Sequence, residues 1–134
     1  MADFNTPVIE EFRANGGKVG GPFGSMELLL LTTKGSKSGN TTIKPLAYTV
    51  DGDNYVVVAS KGGAPTNPDW YFNLKSNPEV TVEVGSEKFT GHAKEATGKE
   101  RDRLFDQHAA KYAAFNDYKA KTTRTLPVFT ISRG

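Results

Sequence analysis

The sequence contains no cysteine, and that absence removes disulfide staples, thiolate metal sites and cysteine nucleophiles together. Charge of one sign is lacking as well. With 17 Lys and Arg against 15 Asp and Glu, no global field directs the chain to nucleic acid, so any basic site has to be local. No long hydrophobic run occurs; the longest, around Met26 to Leu31, falls far short of a bilayer span. The opening Met-Ala-Asp-Phe-Asn-Thr-Pro has neither the basic start nor the apolar centre of a signal peptide. These absences predict a soluble, cytoplasmic protein, and they leave open a membrane contact through a surface helix.

Self-contained catalytic motifs are scarce too. No Gly-x-Ser-x-Gly elbow is present, and Ser60 lacks a local base. His92 lies in a strand-like run and His108 on a helix, neither with a partner spaced for zinc, so no metal site is expected. Glycines occur without Walker or dinucleotide-binding spacing. An enzyme made from this chain would take its reactive group from a cofactor and supply binding and orientation itself.

What is present predicts one α+β domain spanning residues 1–134. Thr6-Pro7 opens a short helix with Phe4, Val8, Ile9 and Phe12 along one side, and Asn15-Gly16-Gly17 ends it. A glycine-rich connector completes the first 25 residues. Strand patterns follow at 26–33, 42–50, 55–60, 79–84, 88–95 and 127–132, with tight turns at Asp51-Gly52-Asp53 and Gly85-Ser86. About six mainly antiparallel strands joined by hairpins suggest a sheet curled into a small barrel with flanking helices. Asn67-Pro68 starts a helix through Trp70 to Lys75. Thr97-Gly98-Lys99-Glu100 reads as a capping box for a longer helix carrying Leu104, Phe105, His108, Ala109, Tyr112 and Phe115 on one face.

Two loops have the composition of an anion site. In the first, Lys37 stands between Ser36 and Ser38 with flanking glycines, which free backbone N–H groups to converge on an anion, and Lys44 follows on the next strand. In the second, the apolar run Val56 to Ala59 leads into Ser60-Lys61-Gly62-Gly63, then into the helix that carries Asp69, Trp70, Tyr71, Phe72 and Asn73. The first loop alone reads either as a polar hairpin with solvated lysines or as an anion site; two lysine loops beside a helix N-terminus would together form a cradle for an anionic, planar cofactor. Trp70 and Tyr71 either enter the core or face that cradle. Tyr112, Phe115 and Tyr118, at steps of three, either pack on the barrel or line an apolar pocket for a flat substrate.

The pairing of "GSKSG" with "ASKGGAPTNPDWYFNL" at this separation resembles the deazaflavin-dependent nitroreductase family of actinobacteria, whose members use coenzyme F420. The motifs extend over roughly Met26 to Gly85. The resemblance implies a split β-barrel like that of flavin-mononucleotide-binding oxidases. It places Ser36, Lys37 and Ser38 at the F420 phosphate or acidic tail, with Val58, Ala59, Ser60 and Lys61 flanking the deazaflavin. It also puts Pro45 at the cofactor's edge, has Asp69 to Asn73 closing over it, and sets Tyr112, Phe115 and Tyr118 around the substrate, the tyrosines as candidate proton donors. Thr42 stands where many members carry an arginine that helps bind phosphate, leaving Lys44 to supply charge, and Phe115 replaces a tyrosine of some members.

The implied activity is hydride transfer from reduced deazaflavin to a quinone, an activated enone or lactone, or a nitroaromatic. A non-catalytic F420 carrier and a flavin-mononucleotide enzyme on the same barrel are the alternatives. Lys18, Lys34, Lys37, Lys44 and Lys61 would suit the long acidic tail of F420 better than a short flavin phosphate. A homodimer is compatible with such a barrel.

Overall fold

Leu28 to Leu31 and Val56 to Val58 show no polar alternation because both faces of their strands are covered. The computed structural model describes residues 5–16, 27–35, 41–59, 68–122 and 125–133. In chain order the elements are α1 (Asn5–Ala14), β1 (Leu28–Lys34), β2 (Thr41–Ala47), β3 (Thr49–Asp51), β4 (Asn54–Val58), α2 (Asp69–Ser76), β5 (Glu79–Val84), β6 (Glu87–Glu95), α3 (Gly98–Lys111), α4 (Ala114–Lys121) and β7 (Val128–Arg133). Seven strands, all paired antiparallel, form one sheet in the order β2-β1-β5-β6-β7-β4-β3.

That order dictates the shape. The two edge strands, β2 and β3, are consecutive in the chain and separated by Tyr48 alone. Opposite ends of a seven-stranded sheet meet within one residue only if the sheet curls round on itself. Leu29, Leu31, Val57, Val80, Val82, Phe129 and Ile131 fill the inner face, joined by Trp70 and Leu74 of α2. Outside, Leu28 and Leu30 receive Phe12 of α1, and Val56, Val58 and Val128 receive Leu104, Phe105, Ala109, Tyr112 and Phe115.

Four boundary expectations change. The run 42–50 is two strands, because the chain bends at Tyr48 to pass from one edge of the sheet to the other. Pro68, expected at the first helical position, is instead the extended N-cap residue of α2. The capping box does not form: Thr97 makes no side-chain cap bond, Gly98 adopts φ 60°, and the Glu100 carboxylate pairs with Arg103 at 2.7 Å. The long helix divides, since Tyr112 leaves helical geometry at φ -124°, ψ 91° and a short second helix carries Phe115 and Tyr118.

Neighbouring elements guard the sheet edges. Arg103 grips Asp51 through both terminal nitrogens, and Gln107 donates to the Val50 carbonyl at 2.9 Å, so α3 covers β3. Pro45 interrupts β2, at the other edge, where a proline is tolerated. On the outer surface, Arg13 of α1 forms a forked pair with Glu83 of β5 at 3.0 and 2.8 Å.

Candidate functional site

Antiparallel pairing alternates strand direction across the sheet, so β1 and β4 run the same way and end at the same rim. Each precedes one of the two lysine loops. Helix α2 sits between these strand ends: Trp70 and Leu74 join Leu29 and Leu31 of β1 and Val57 and Ala59 beside β4 in one buried cluster. Lys75 reaches the Glu95 carboxylate at 2.9 Å, fixing α2 to the end of β6 at that rim. Ser36, Lys37, Ser38, Ser60 and Lys61 lie outside the described residues, as does the Asp69 side chain.

The described candidates divide by exposure. Trp70 is buried against Phe129, ring centroids 6.0 Å apart, and is a core residue. Phe72 is 49% exposed and Tyr71 half-buried, their rings 5.1 Å apart edge to face, so these two give α2 its accessible aromatic surface. Val58 is buried on the outer face with Leu104, Phe105 and Tyr112, and Ala59 in the inner cluster; the Ala59 N–H donates to the Pro127 carbonyl at 2.8 Å. Thr42 pairs across the strands with Thr33, and Lys44 with Leu31, which by strand alternation sets both on the inner face. Asn73 is buried and donates from Nδ2 to Thr33 Oγ1 at 2.9 Å, and Thr33 Oγ1 lies 3.1 Å from Thr42 Oγ1.

The aromatic group behaves differently from a simple helical stripe. Tyr112 and Phe115 are buried, and Tyr118 is half-buried against Phe115 at 5.2 Å. The Tyr112 hydroxyl donates to the Tyr48 carbonyl at 2.7 Å and accepts the Glu27 N–H at 3.3 Å, while the Tyr48 N–H donates to the Glu27 carbonyl at 3.1 Å. This three-residue node ties the start of β1 to the bend between β2 and β3. Burial raises the Tyr112 pKa. His108 has no exposure; Nδ1 lies 3.1 Å from Thr49 Oγ1, Nε2 has no partner among the described residues, and Phe115 packs perpendicular at 4.4 Å. Burial, followed by the Lys111 charge, lowers its pKa to about 4, so it is neutral near pH 7. His92 is exposed on β6, and no cluster of three metal-ligating side chains occurs among the described residues.

Sequence patterns did not reveal the Glu27–Tyr48–Tyr112 node or the Asn73–Thr33–Thr42 line. Both join elements distant in the chain; the sole sequence hint is a threonine in each of two neighbouring strand patterns.

These residues suit a flat anionic cofactor. Lys44 is half-buried beside Thr42, Pro68 gives the start of α2 no side-chain cap, and the tightly packed end of β4 offers a rigid floor. The model of the F420H(2)-dependent quinone reductase family matches residues 7–132. An F420H(2)-dependent quinone reductase of Mycobacterium tuberculosis is 37% identical over 129 residues, covering 91% of this chain and 85% of that protein. Among solved structures, an F420-H2 dependent reductase superposes with a TM-score of 0.72 at 39% identity, covering 78% of this chain and 93% of that one. A protein described as a domain-swapped dimer gives 0.74 at 32% identity, covering 94% of both chains. With nearly its whole length matched and its curled antiparallel sheet shared, the chain belongs to the F420H(2)-dependent quinone reductase family.

Proposed function

We propose that this chain binds reduced F420 at the rim formed by the ends of β1 and β4 and catalyses its oxidation by a quinone. The common rim, roofed by α2, carries the reading, because the two strands whose ends precede the lysine loops in the sequence finish at one end of the barrel. When bound, the cofactor supplies the hydride. The protein's part is orientation and charge: Ser36, Lys37, Ser38 and Lys44 hold the anionic portion, Val58 to Lys61 and Pro45 frame the ring, and α2 from Asp69 to Asn73 closes over it. Phe72 and Tyr71 are the α2 side chains with surface to offer a ring, whereas Trp70 acts by filling the core beneath them. Of the two candidate proton donors we favour Tyr118, because the Tyr112 hydroxyl already donates to the Tyr48 carbonyl. Phe115 then contributes an apolar wall without a hydroxyl.

Titration of purified protein with F420 and with flavin mononucleotide, followed by quinone-driven reoxidation of reduced F420, tests this reading. Preferential F420 binding with quinone turnover supports it. Binding without turnover for quinone, enone or nitroaromatic acceptors favours a carrier, and flavin preference overturns the cofactor assignment.

Membrane contact through α1 is a separate matter. Val8, Ile9 and Phe12, the side that would enter a lipid surface, pack on Leu28, Leu30 and Ile43, so such contact requires α1 to leave the barrel. No helix among the described residues is long and apolar enough to cross a membrane.

A further inference from the structure

Asn73, Thr33 and Thr42 belong to α2, β1 and β2, yet they form one hydrogen-bonded line at the rim where the two lysine loops begin. The line has a direction. An amide Nδ2 only donates, so the 2.9 Å bond from Asn73 occupies a lone pair of Thr33 Oγ1. Thr33 is 2% exposed, and its own hydroxyl hydrogen needs an acceptor inside the protein; Thr42 Oγ1, 3.1 Å away on the directly paired strand, provides one. Thr42 is exposed, and accepting from Thr33 would leave its own hydrogen directed away from that bond. Lys44 lies two residues further along the same face of β2.

We propose that Asn73 and Thr33 are positioning residues that aim the Thr42 hydroxyl hydrogen outward, as a donor to an anionic oxygen of the bound cofactor beside Lys44. The inference rests on the F420 reading above and gives a neutral threonine a part in holding an anion beside Lys44. A guanidinium brings several donors and its own charge, whereas a hydroxyl has one hydrogen whose direction its neighbours must set. A preceding hydrogen bond also polarises the next, strengthening the terminal donor toward a charged acceptor.

The test is an F420 binding titration, read by cofactor absorbance, on wild type, Thr42→Val, Thr42→Ser, Thr33→Val and the Thr33→Val/Thr42→Val double variant, with thermal midpoints measured alongside. Thr42→Val is expected to raise Kd about tenfold while Thr42→Ser stays near wild type. Thr33→Val should weaken binding comparably, and the double variant should bind no worse than the weaker single one, because both changes break the same line. Thr33→Val also removes the acceptor of the buried Asn73 Nδ2 bond and lowers the thermal midpoint. Thr42→Val keeps the Asn73–Thr33 bond and removes only the partner of the Thr33 hydroxyl, so its thermal midpoint should fall less while binding weakens as much. Unchanged binding by Thr42→Val, or losses that multiply in the double variant, overturns the proposal alone. Failure of wild type to bind F420 overturns the cofactor reading with it.

Discussion

Tyr112 spends its hydroxyl on the fold, and that changes what its removal should do. Tyr112→Phe leaves the Tyr48 carbonyl and the Glu27 N–H without their partner, at a cost of about 1–2 kcal/mol in denaturant unfolding. Quinone turnover by the folded variant should fall far less than in Tyr118→Phe; an equal collapse would return Tyr112 to the list of proton donors. His108 makes a pH prediction whose sign follows from its lowered pKa. Above about pH 6.5 both native and unfolded chains hold it neutral; between 6.5 and about 4 the unfolded chain takes a proton that native His108 refuses, and stability falls; below 4 both are protonated. The full loss is about 3 kcal/mol, and comparing His108→Gln with wild type at pH 7 and pH 4.5 separates it from carboxylate titration. At this scale the sequence was informative about type and poor about partners. A histidine on an apolar helix face with no ligand partner reads as a packed or surface residue, but nothing local says that it is buried with Thr49 at its Nδ1, or that Trp70 turns inward while Phe72 faces out.

At the scale of elements, strand existence was legible and strand limits were not. The expected strand 79–84 matches β5, because it alternates between the inner core and the outer surface and a tight turn at Gly85 ends it. The run 42–50 conceals a break, since the bend at Tyr48 is imposed by barrel closure and not by a turn residue. The division of α3 from α4 is likewise set by the Tyr112 side chain reaching Tyr48. Gly91 illustrates close approach between strands: a Cβ there would lie 2.8 Å from the Ser132 carbonyl oxygen and 2.9 Å from Ile131 Cγ2. Gly91→Ala should therefore cost about 1–3 kcal/mol, measured as a lowered denaturation midpoint, because a backbone oxygen cannot swing aside as a side chain can. Helix α1 offers a contrast of forces. Its Arg13–Glu83 pair is partly exposed and worth less than about 1 kcal/mol, whereas Phe12, 1% exposed between Leu28 and Leu30, is worth about 3–5. Hydrogen exchange should show residues 5–14 opening readily in Phe12→Ala and scarcely more than wild type in Arg13→Ala.

For the whole molecule, the paired lysine-loop motifs carried the family assignment, and the count of hairpins carried the α+β class. The curl into a barrel was legible from the hairpins, but the strand order was not, because it depends on pairings between residues far apart in the chain, such as Tyr55 with Ile131. Assembly belongs here also. A homodimer is proposed from a relative described as a domain-swapped dimer, and light scattering across a concentration series should show twice the monomer mass; a constant monomer mass would set the proposal aside. The seam between β2 and β3 has one further consequence. A sheet closed by chain continuity, without a hydrogen-bonded ladder across the seam, still owns two edges able to template foreign strands into aggregates. Here the β3 edge is gripped by Arg103 and Gln107, and the β2 edge is interrupted by Pro45, so both raw margins are blunted by residues that leave the rim clear.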